Sequence, residues 1–183
     1  QFTATVTAVN DAPVITSVAE TSVNEDNGYS YTMTASDEDG DVLSISGTYP
    51  VSWLTLVDNG NGSADLSGTP TNSDVGTHDI ALQVSDSDTT VIQNFVITVS
   101  NTNDTPVLSS ITDPSSVLED GENITVSVTP TDVDAGASLI VTVSTNNNSL
   151  FPSVDWSPDT AASNVERIIT LNPADNQNGT ALV

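Results

Sequence analysis

Short runs in which apolar and polar residues alternate make up much of the chain. Phe2, Ala4 and Val6 form one face of residues 1–9, and threonines form much of the other. A period of two is typical of a half-buried β-strand, because successive side chains of a strand point to opposite faces of the sheet. We therefore expect residues 1–9 to form a strand.

Seven further runs between residues 13 and 100 predict seven more strands. Their inward positions are Ile15 and Val18; Tyr29, Tyr31, Met33 and Ala35; Leu43 and Ile45; Trp53, Leu54 and Leu56; Ala64 and Leu66; His78, Ile80, Leu82 and Val84; and Val91, Phe95, Ile97 and Val99. Turn-forming residues at 37–41 and 58–62 separate some of these runs, and no window has helical periodicity. This spacing predicts an all-β fold, a Greek-key β-sandwich.

The chain also contains an internal repeat. Residues 101–107 copy the Asn-Asp-x-Pro-Val pattern of residues 8–14 at a distance of 93 positions, and residues 95–99 copy residues 2–6 at the same distance. A period of this length indicates tandem domains. Proline fixes φ and has no N–H to donate, so each Asn-Asp-x-Pro segment is typical of a short acidic linker between domains.

These linkers divide the chain into three parts. We expect residues 1–10 to be the last strand of a preceding repeat, residues 11–103 to be a complete β-sandwich, and residues 104–183 to be a second repeat truncated before its last strands. Two explanations of this arrangement stay open. The chain can be a window of a longer array, or residues 1–9 of one molecule can complete residues 106–183 of another by strand exchange.

The charge of the chain excludes several classes of partner. One Arg and 25 acidic residues give a formal net charge of −24. A nucleic acid or an anionic membrane surface requires a basic patch, so neither is an expected partner. No apolar run is long enough to span a membrane, and the chain has no cysteine for disulfides or thiolate metal sites. The single cation, Arg167, is expected at a strand end, paired with a carboxylate.

Several motifs resemble known repeats. Residues 29–41, Trp53-Leu54, residues 66–70 and residues 74–76 together resemble a dystroglycan-type, cadherin-like Ig repeat that covers residues 13–100. Residues 106–183 are similar to Ig-like repeats of very large bacterial surface adhesins. The segments that carry this second resemblance are 118–120, 132–134, 147–150, 167–171 and 173–180. Both resemblances imply tandem Ig-like or cadherin-like domains at a cell surface, with neighbouring repeats of the same long chain as partners.

The cadherin resemblance implies a Ca²⁺ site at each linker. It implies a linker Asn-Asp, an Asp-x-Asp of the following domain and a glutamate of the preceding one as ligands. The matching residues are Asn10, Asp11, Asp37, Asp39 and Asp86 at the first linker and Asn103, Asp104, Asp132, Asp134 and Glu25 at the second. Ala8 and Asn101 replace the first linker Asp, so fewer ions per linker are expected than in cadherins. An acidic turn without an ion is the alternative interpretation of residues 37–41.

We therefore expect a non-enzymatic, extracellular spacer that is stiffened by Ca²⁺. Two alternatives stay open: a filament subunit joined by strand exchange, and a carbohydrate-binding module that uses Trp156 as a stacking platform. The single histidine, His78, lies two residues before the inward Ile80. Its position resembles the tyrosine corner of Ig domains, which favours a structural role over a catalytic one.

Overall fold

The computed structural model describes residues 2–7, 9–118, 120–157 and 160–183, with the side chains of residues 156 and 157 left out. It divides into two compact units, Gln1–Thr102 (unit 1) and Asn103–Val183 (unit 2). Both units are built from β-strands, so the predicted all-β fold is confirmed. Among the described residues, no helix is both long and apolar enough to cross a membrane.

Unit 1 is a sandwich of two four-stranded sheets. Its strands are β1 (Val14–Ile15), β2 (Ser22–Asn24), β3 (Tyr29–Ser36), β4 (Ser44–Thr48), β5 (Leu54–Asp58), β6 (Ser63–Gly68), β7 (Gly76–Ser85) and β8 (Thr90–Ser100). One sheet has the order β1-β3-β6-β5, and the other has the order β2-β8-β7-β4. Strand β2 pairs with β8 in parallel, and the other neighbours in both sheets pair antiparallel.

The core of unit 1 follows the alternation of the sequence. On β3 the side chains of Tyr29, Tyr31 and Met33 are buried, while those between them are exposed. Leu66 from the same sheet and Ile97 from the opposite sheet belong to the same buried cluster. Burial of each such large apolar side chain contributes about 1.5–3 kcal/mol, which makes this cluster the main source of stability.

Two features of unit 1 differ from the sequence prediction. Val18, expected in the first strand, lies outside it and is exposed. Strand β2 was not expected, because Val23 is its only inward residue and three residues show no alternation. β2 forms because the edge of β8 offers it parallel hydrogen bonds, a long-range partner that sequence alternation does not reveal.

His78 has a structural role, as the sequence predicts. Its Nε2 lies 2.6 Å from the backbone carbonyl oxygen of Asp74, four residues upstream. Its ring meets the indole of Trp53 edge to face, with 6.0 Å between the ring centroids. A polar ring that bonds back to the preceding backbone and packs on a core aromatic stabilises the corner before β7, as the tyrosine corner does in Ig domains.

Unit 2 repeats part of this architecture. Its strands are β9 (Val107–Leu108), β10 (Ile124–Val128), β11 (Pro130–Thr131), β12 (Ser138–Ile140), β13 (Ser153–Ser157), β14 (Thr160–Ala162) and β15 (Arg167–Asn172). The three-stranded sheet β10-β15-β13 has the same antiparallel connectivity as β3-β6-β5 of unit 1. Two-stranded ladders β11-β9 and β12-β14 complete the strand pairing of its described residues.

The N-terminal segment forms no strand in its described part, residues 2–7 and 9–10, although its alternation predicts one. The side chains of Phe2 and Val6 are 93% and 94% exposed. A strand is stable only against a partner edge, since its backbone N–H and C=O groups otherwise bond to water. Residues 2–6 therefore have the sequence pattern of a strand, but no described strand of unit 1 pairs with them.

Arg167 lies at the start of β15, as expected, and its side chain is fully buried. In the described part of the chain its guanidinium donates to the backbone carbonyls of Val165, Leu139 and Ala161 rather than to a carboxylate. The pairing predicted from the abundance of acids is thus replaced by carbonyl contacts. A planar group with several N–H donors can bind two paired strands, β12 and β14, and the segment just before β15 at once.

Candidate metal centre

The acidic turn of unit 1 follows β3 directly. Oδ1 of Asp37 accepts hydrogen bonds from the backbone N–H of Asp39 at 3.0 Å and of Asp41 at 3.3 Å. Asp side chains commonly fold the backbone in this way, by accepting the N–H two residues ahead. The turn therefore has a local cause, and it gathers three carboxylates.

The three carboxylates have the spacing of a cation site. Asp37, Asp39 and Asp41 each offer an oxygen that lies within 4.8 Å of the other two. Oxygens on opposite sides of a Ca²⁺ ion are roughly 4.6–5.2 Å apart, twice the usual ligand distance. Oδ2 of Asp37 is buried, and no described group donates a hydrogen bond to it. A buried carboxylate oxygen without a donor is costly, and a cation would satisfy it.

The linker Asn10–Asp11 is bonded to this turn. The backbone N–H of Asp11 donates to Oδ2 of Asp39 at 2.7 Å. The amide nitrogen Nδ2 of Asn10 donates to the backbone carbonyl of Asp11 and to Oδ2 of Asp86, both at 3.0 Å. The five residues predicted for the first linker, Asn10, Asp11, Asp37, Asp39 and Asp86, are thus brought together within unit 1.

Asp86 differs from the other four residues because hydrogen bonds already occupy both of its carboxylate oxygens. It is 4% exposed, and its carboxylate accepts from the backbone of Asp88 and Thr89, the hydroxyl of Thr89 and the amide of Asn10. A carboxylate has about four lone-pair sites, so these four bonds fill them. The same bonds, led by that from the Thr89 backbone, hold the pKa of Asp86 well below its usual range. In this structure Asp86 positions Asn10.

Asp41 is a member of the cluster that the ligand prediction left out. Loss of hydration, together with the negative charges of Asp37 and Asp39, raises the pKa of this exposed carboxyl. The signal was present in the sequence as a third Asp at the same two-residue spacing. The predicted ligand set omitted Asp41 because it followed the cadherin pattern, which contains only Asp-x-Asp.

Unit 2 repeats the linker contacts. The backbone N–H of Asp104 donates to Oδ2 of Asp134, and the N–H of Asp134 donates to Oδ1 of Asp132, both at 2.8 Å. Nδ2 of Asn103 donates to the carbonyl of Asp104 at 2.7 Å. All four predicted unit 2 residues therefore come together. Gly136 takes the position of Asp41 in this turn, so unit 2 has one carboxylate fewer.

Glu25 lies against the last residues of unit 1. Its side chain is 1% exposed, and its Oε1 accepts the backbone N–H of Thr102. Its own N–H donates to the carbonyl of Ser100 at 3.0 Å. Oε2 is buried and has no hydrogen-bond partner among the described residues. Burying a carboxylate is unfavourable unless it is neutralised or fully bonded, so this atom also suits a cation.

The comparisons with known proteins agree with this architecture. Residues 12–100 match the family described as "Putative Ig domain". The prediction of a cadherin-like Ig repeat over residues 13–100 is thus confirmed. No curated protein is similar enough to the chain to count as a match.

Three solved structures illustrate the likeness. Human protocadherin-24 EC1-2 is 19% identical with a TM-score of 0.50, over 92% of this chain and 83% of that one. The endo-fucoidan hydrolase MfFcnA4 (H294Q) of glycoside hydrolase family 107 is 23% identical with a TM-score of 0.46, over 92% of this chain and only 27% of the hydrolase. The SrpA adhesin of Streptococcus sanguinis is 15% identical with a TM-score of 0.45, over 55% of this chain and 65% of the adhesin. At these identities the first likeness shows a shared fold alone.

Proposed function

We propose that this chain is a structural spacer of an extracellular adhesin or surface fibre, and that Ca²⁺ fixes the linker at the start of each repeat. One observation carries the proposal. In both units a linker Asn-Asp is bonded to an Asp-x-Asp turn through the same backbone and carboxylate atoms. Because the same contact forms at both linkers, it is suited to fixing the direction in which the backbone enters each domain.

Calcium is the cation that this cluster suits best. Its donors are hard oxygens, and Ca²⁺ accepts six to eight of them in flexible geometry. Asp37, Asp39 and Asp41 repel one another by about 1 kcal/mol per pair in water, and a divalent ion reverses this repulsion. The overall charge of −24 adds to the attraction. Extracellular modules typically bind Ca²⁺ with a Kd of about 0.1–1 mM.

The spacer role follows from where the cluster lies. An ion at Asp37–Asp41 would fix the carboxylate of Asp39, which accepts the backbone N–H of Asp11, and so would hold the linker against unit 1. The chemistry proposed for the cluster is coordination. Oδ1 of Asp37 accepts two backbone N–H groups of its own turn, and Oδ2 of Asp39 accepts the linker N–H of Asp11, so these carboxylates are held in place by the backbone. The function proposed is therefore mechanical and non-enzymatic.

Thermal unfolding with added Ca²⁺ tests the proposal. With a Kd of about 0.1–1 mM, roughly 10 mM Ca²⁺ stabilises the folded state by about 1.4–2.7 kcal/mol. For a unit of this size that corresponds to a rise in Tm of about 5–15 °C. The same chain in a chelator, and with Mg²⁺ in place of Ca²⁺, provides the reference. A Tm that does not respond to Ca²⁺ would contradict the proposal.

Matched variants locate the ion. Asp37→Asn keeps an oxygen that can accept from Asp39 and Asp41, so the turn is retained while one ligand charge is lost. We expect this variant to lose most of the Ca²⁺-dependent rise in Tm for unit 1. Asp65→Asn removes the same charge outside the cluster and should keep the full response. Equal losses in both variants would show that Ca²⁺ acts through net charge and not at this site.

The mass of the natural polypeptide tests the spacer role separately. An antibody to residues 11–100 would detect the protein on intact cells and on a denaturing gel of the surface fraction. A spacer predicts surface exposure and a polypeptide much larger than 18.9 kDa. A polypeptide near 18.9 kDa would contradict a spacer and favour a small assembling subunit. The proposed carbohydrate role of Trp156 rests on a side chain outside the described residues.

A further inference from the structure

An open cleft lies on the outer face of the sheet β2-β8-β7-β4 in unit 1. Its volume is about 590 Å³, and small-molecule sites usually measure roughly 300–1,000 Å³. Its lining comes from residues 48–50, 79–81 and 94–96, so it shares no residue with the acidic turn at 37–41. The cleft is therefore a candidate binding site separate from the candidate metal centre.

The cleft forms because β4 is shorter than its neighbour β7. Strand β4 pairs with β7 only as far as Thr48, which lies opposite Ala81. Strand β7 extends further, to Gly76, and is paired with β8 over its whole length. Pro50 follows soon after the end of β4, and a proline has no N–H with which to continue the ladder. The step between the two strands leaves the cleft open to solvent.

Outward residues of β7 and β8 form the floor and one wall of the cleft. Ala81 lies opposite Asn94 in the ladder, and Asp79 lies opposite Val96. These positions alternate with the buried Ile80, so their side chains point away from the core. Ala81 has the smallest side chain among the outward residues of β7, which keeps the floor low. Val96, which is 41% exposed, adds apolar surface beside it.

The polar side chains around this floor have no partner within the described part of the chain. Four of them line the cleft, and none takes part in a side-chain hydrogen bond there: Thr48, Tyr49, Asp79 and Asn94. Other polar side chains of the same sheet are paired, as where Nε2 of Gln83 donates to Oγ of Ser46 at 2.9 Å. The donors and acceptors around the cleft are thus available to a ligand.

This combination of groups matches the chemistry of a sugar. A sugar ring has apolar C–H faces and a rim of hydroxyl groups, each of which both donates and accepts hydrogen bonds. The ring of Tyr49 and the side chains of Ala81 and Val96 offer apolar surface for such a face. The carboxylate of Asp79 can accept from two neighbouring hydroxyls, and the amide of Asn94 can both donate and accept.

We propose that this cleft binds a neutral saccharide, with Asp79 and Asn94 bonded to its hydroxyls and Tyr49 against its ring. The charge of the chain selects for a neutral sugar. A net charge of −24 repels uronic acids and sulfated sugars, and the one arginine that could pair with them is buried in unit 2. The proposal adds a ligand to the proposed spacer and does not depend on the cation site.

An NMR titration of the full chain tests this proposal. The ¹⁵N-labelled protein, kept in a chelator so that the cation site plays no part, is titrated with the methyl glycosides of glucose, galactose and mannose and with chitobiose. We expect the amides of residues 48–50, 79–81 and 94–96 to shift together and to saturate with at least one of these sugars. An open site with few hydrogen bonds gives a Kd of about 0.1–10 mM. No saturating shift in these three segments with any of the sugars overturns the proposal.

Matched variants locate the sugar in the cleft. Ala81→Leu fills the floor from the outer face and should abolish the saturating shifts, whereas Thr98→Leu adds the same side chain to the outer face of β8 away from the cleft and should keep them. Asp79→Asn should weaken binding about fivefold, because a charge-assisted hydrogen bond becomes a neutral one. Asp65→Asn removes the same charge on the other sheet and should leave the Kd unchanged. Equal effects within either pair overturn the proposal, and amide shifts elsewhere in the spectrum report whether each variant is folded.

Two further ligands test the chemical class. Glucuronate has the ring of glucose and a negative charge, so it should bind more weakly than methyl glucoside. Equal binding of glucuronate would overturn the selection for a neutral sugar. Ethanolamine is a small cation with one hydroxyl and no ring, and it should cause no saturating shift in the three segments. Shifts with ethanolamine equal to those with the sugars would show that Asp79 attracts a cation and that the cleft does not recognise a saccharide.

Discussion

The backbone N–H of Asp11 donates a 2.7 Å hydrogen bond to Oδ2 of Asp39. Asp104 and Asp134 repeat this bond at 2.8 Å in unit 2. A backbone donor on a charged acceptor makes a hydrogen bond about twice as strong as a neutral pair. These bonds attach each linker to its own domain before any ion binds.

Removal of the acceptor should release the linker. In Asp39→Ala the amide of Asp11 loses its partner, so we expect its hydrogen exchange to become roughly tenfold faster, the loss of one hydrogen bond to a charged group. The measurement is amide exchange by NMR in a chelator. Asp134→Ala should have the same effect on Asp104 and none on Asp11, so each variant is the control for the other. Unchanged exchange of Asp11 in Asp39→Ala would show that this bond does not hold the linker.

The sequence predicts long strands well and short ones poorly. Strand β3 alternates over eight residues and was found where predicted, because Tyr29 and Met33 must share a buried face. Strand β2 has three residues, and its formation depends on pairing with a segment more than seventy positions away. Residues 2–7 show the reverse case, a strand pattern without a partner edge. Local pattern therefore indicates the tendency to form a strand, and long-range pairing decides the outcome.

The sequence predicted which residues lie together at each linker, but not what each of them does there. The Asn-Asp and Asp-x-Asp patterns identified the residues that lie together in each unit. They did not indicate that four hydrogen bonds already fill the carboxylate of Asp86. They also gave no sign that Glu25 is almost completely buried. Such roles depend on which donors surround each oxygen, and this is a property of the folded chain.

Asp65 should make the stability of unit 1 depend on pH. Hydrogen bonds from Oγ1 of Thr32 at 2.6 Å and from Nδ2 of Asn59 at 3.2 Å lower the pKa of Asp65, with Thr32 the larger cause. A carboxyl whose pKa falls on folding stabilises the protein above its unfolded pKa of about 3.9. That stabilisation is lost as the pH falls through the lower, folded-state value.

Thr32→Val should therefore reduce the loss of stability between pH 7 and about pH 2. This loss of stability is measured by urea unfolding at both pH values and equals the difference between the two free energies of unfolding. Thr34→Val is the matched control, because Thr34 lies on the same strand and bonds to Thr16 instead of a carboxylate. If both variants lose stability on acidification by the same amount as the unsubstituted chain, the contact of Thr32 with Asp65 does not contribute.

Gly68 should be intolerant of any side chain. A Cβ at this position would lie 1.8 Å from the backbone carbonyl oxygen of Trp53. Gly68 pairs with both Tyr29 and Leu54 in the middle of a sheet, so neither backbone can move aside easily. Gly68→Ala should destabilise unit 1 by about 2–4 kcal/mol, measured by urea unfolding.

Gly28→Ala is the matched control for this substitution. A Cβ at Gly28 meets no atom within 4 Å, and its backbone angle is not restricted to glycine. The free energy of unfolding should change by less than about 0.5 kcal/mol, as is usual at open surface positions. Equal effects of the two substitutions would mean that flexibility, and not the close approach of Trp53, is the reason for glycine at position 68.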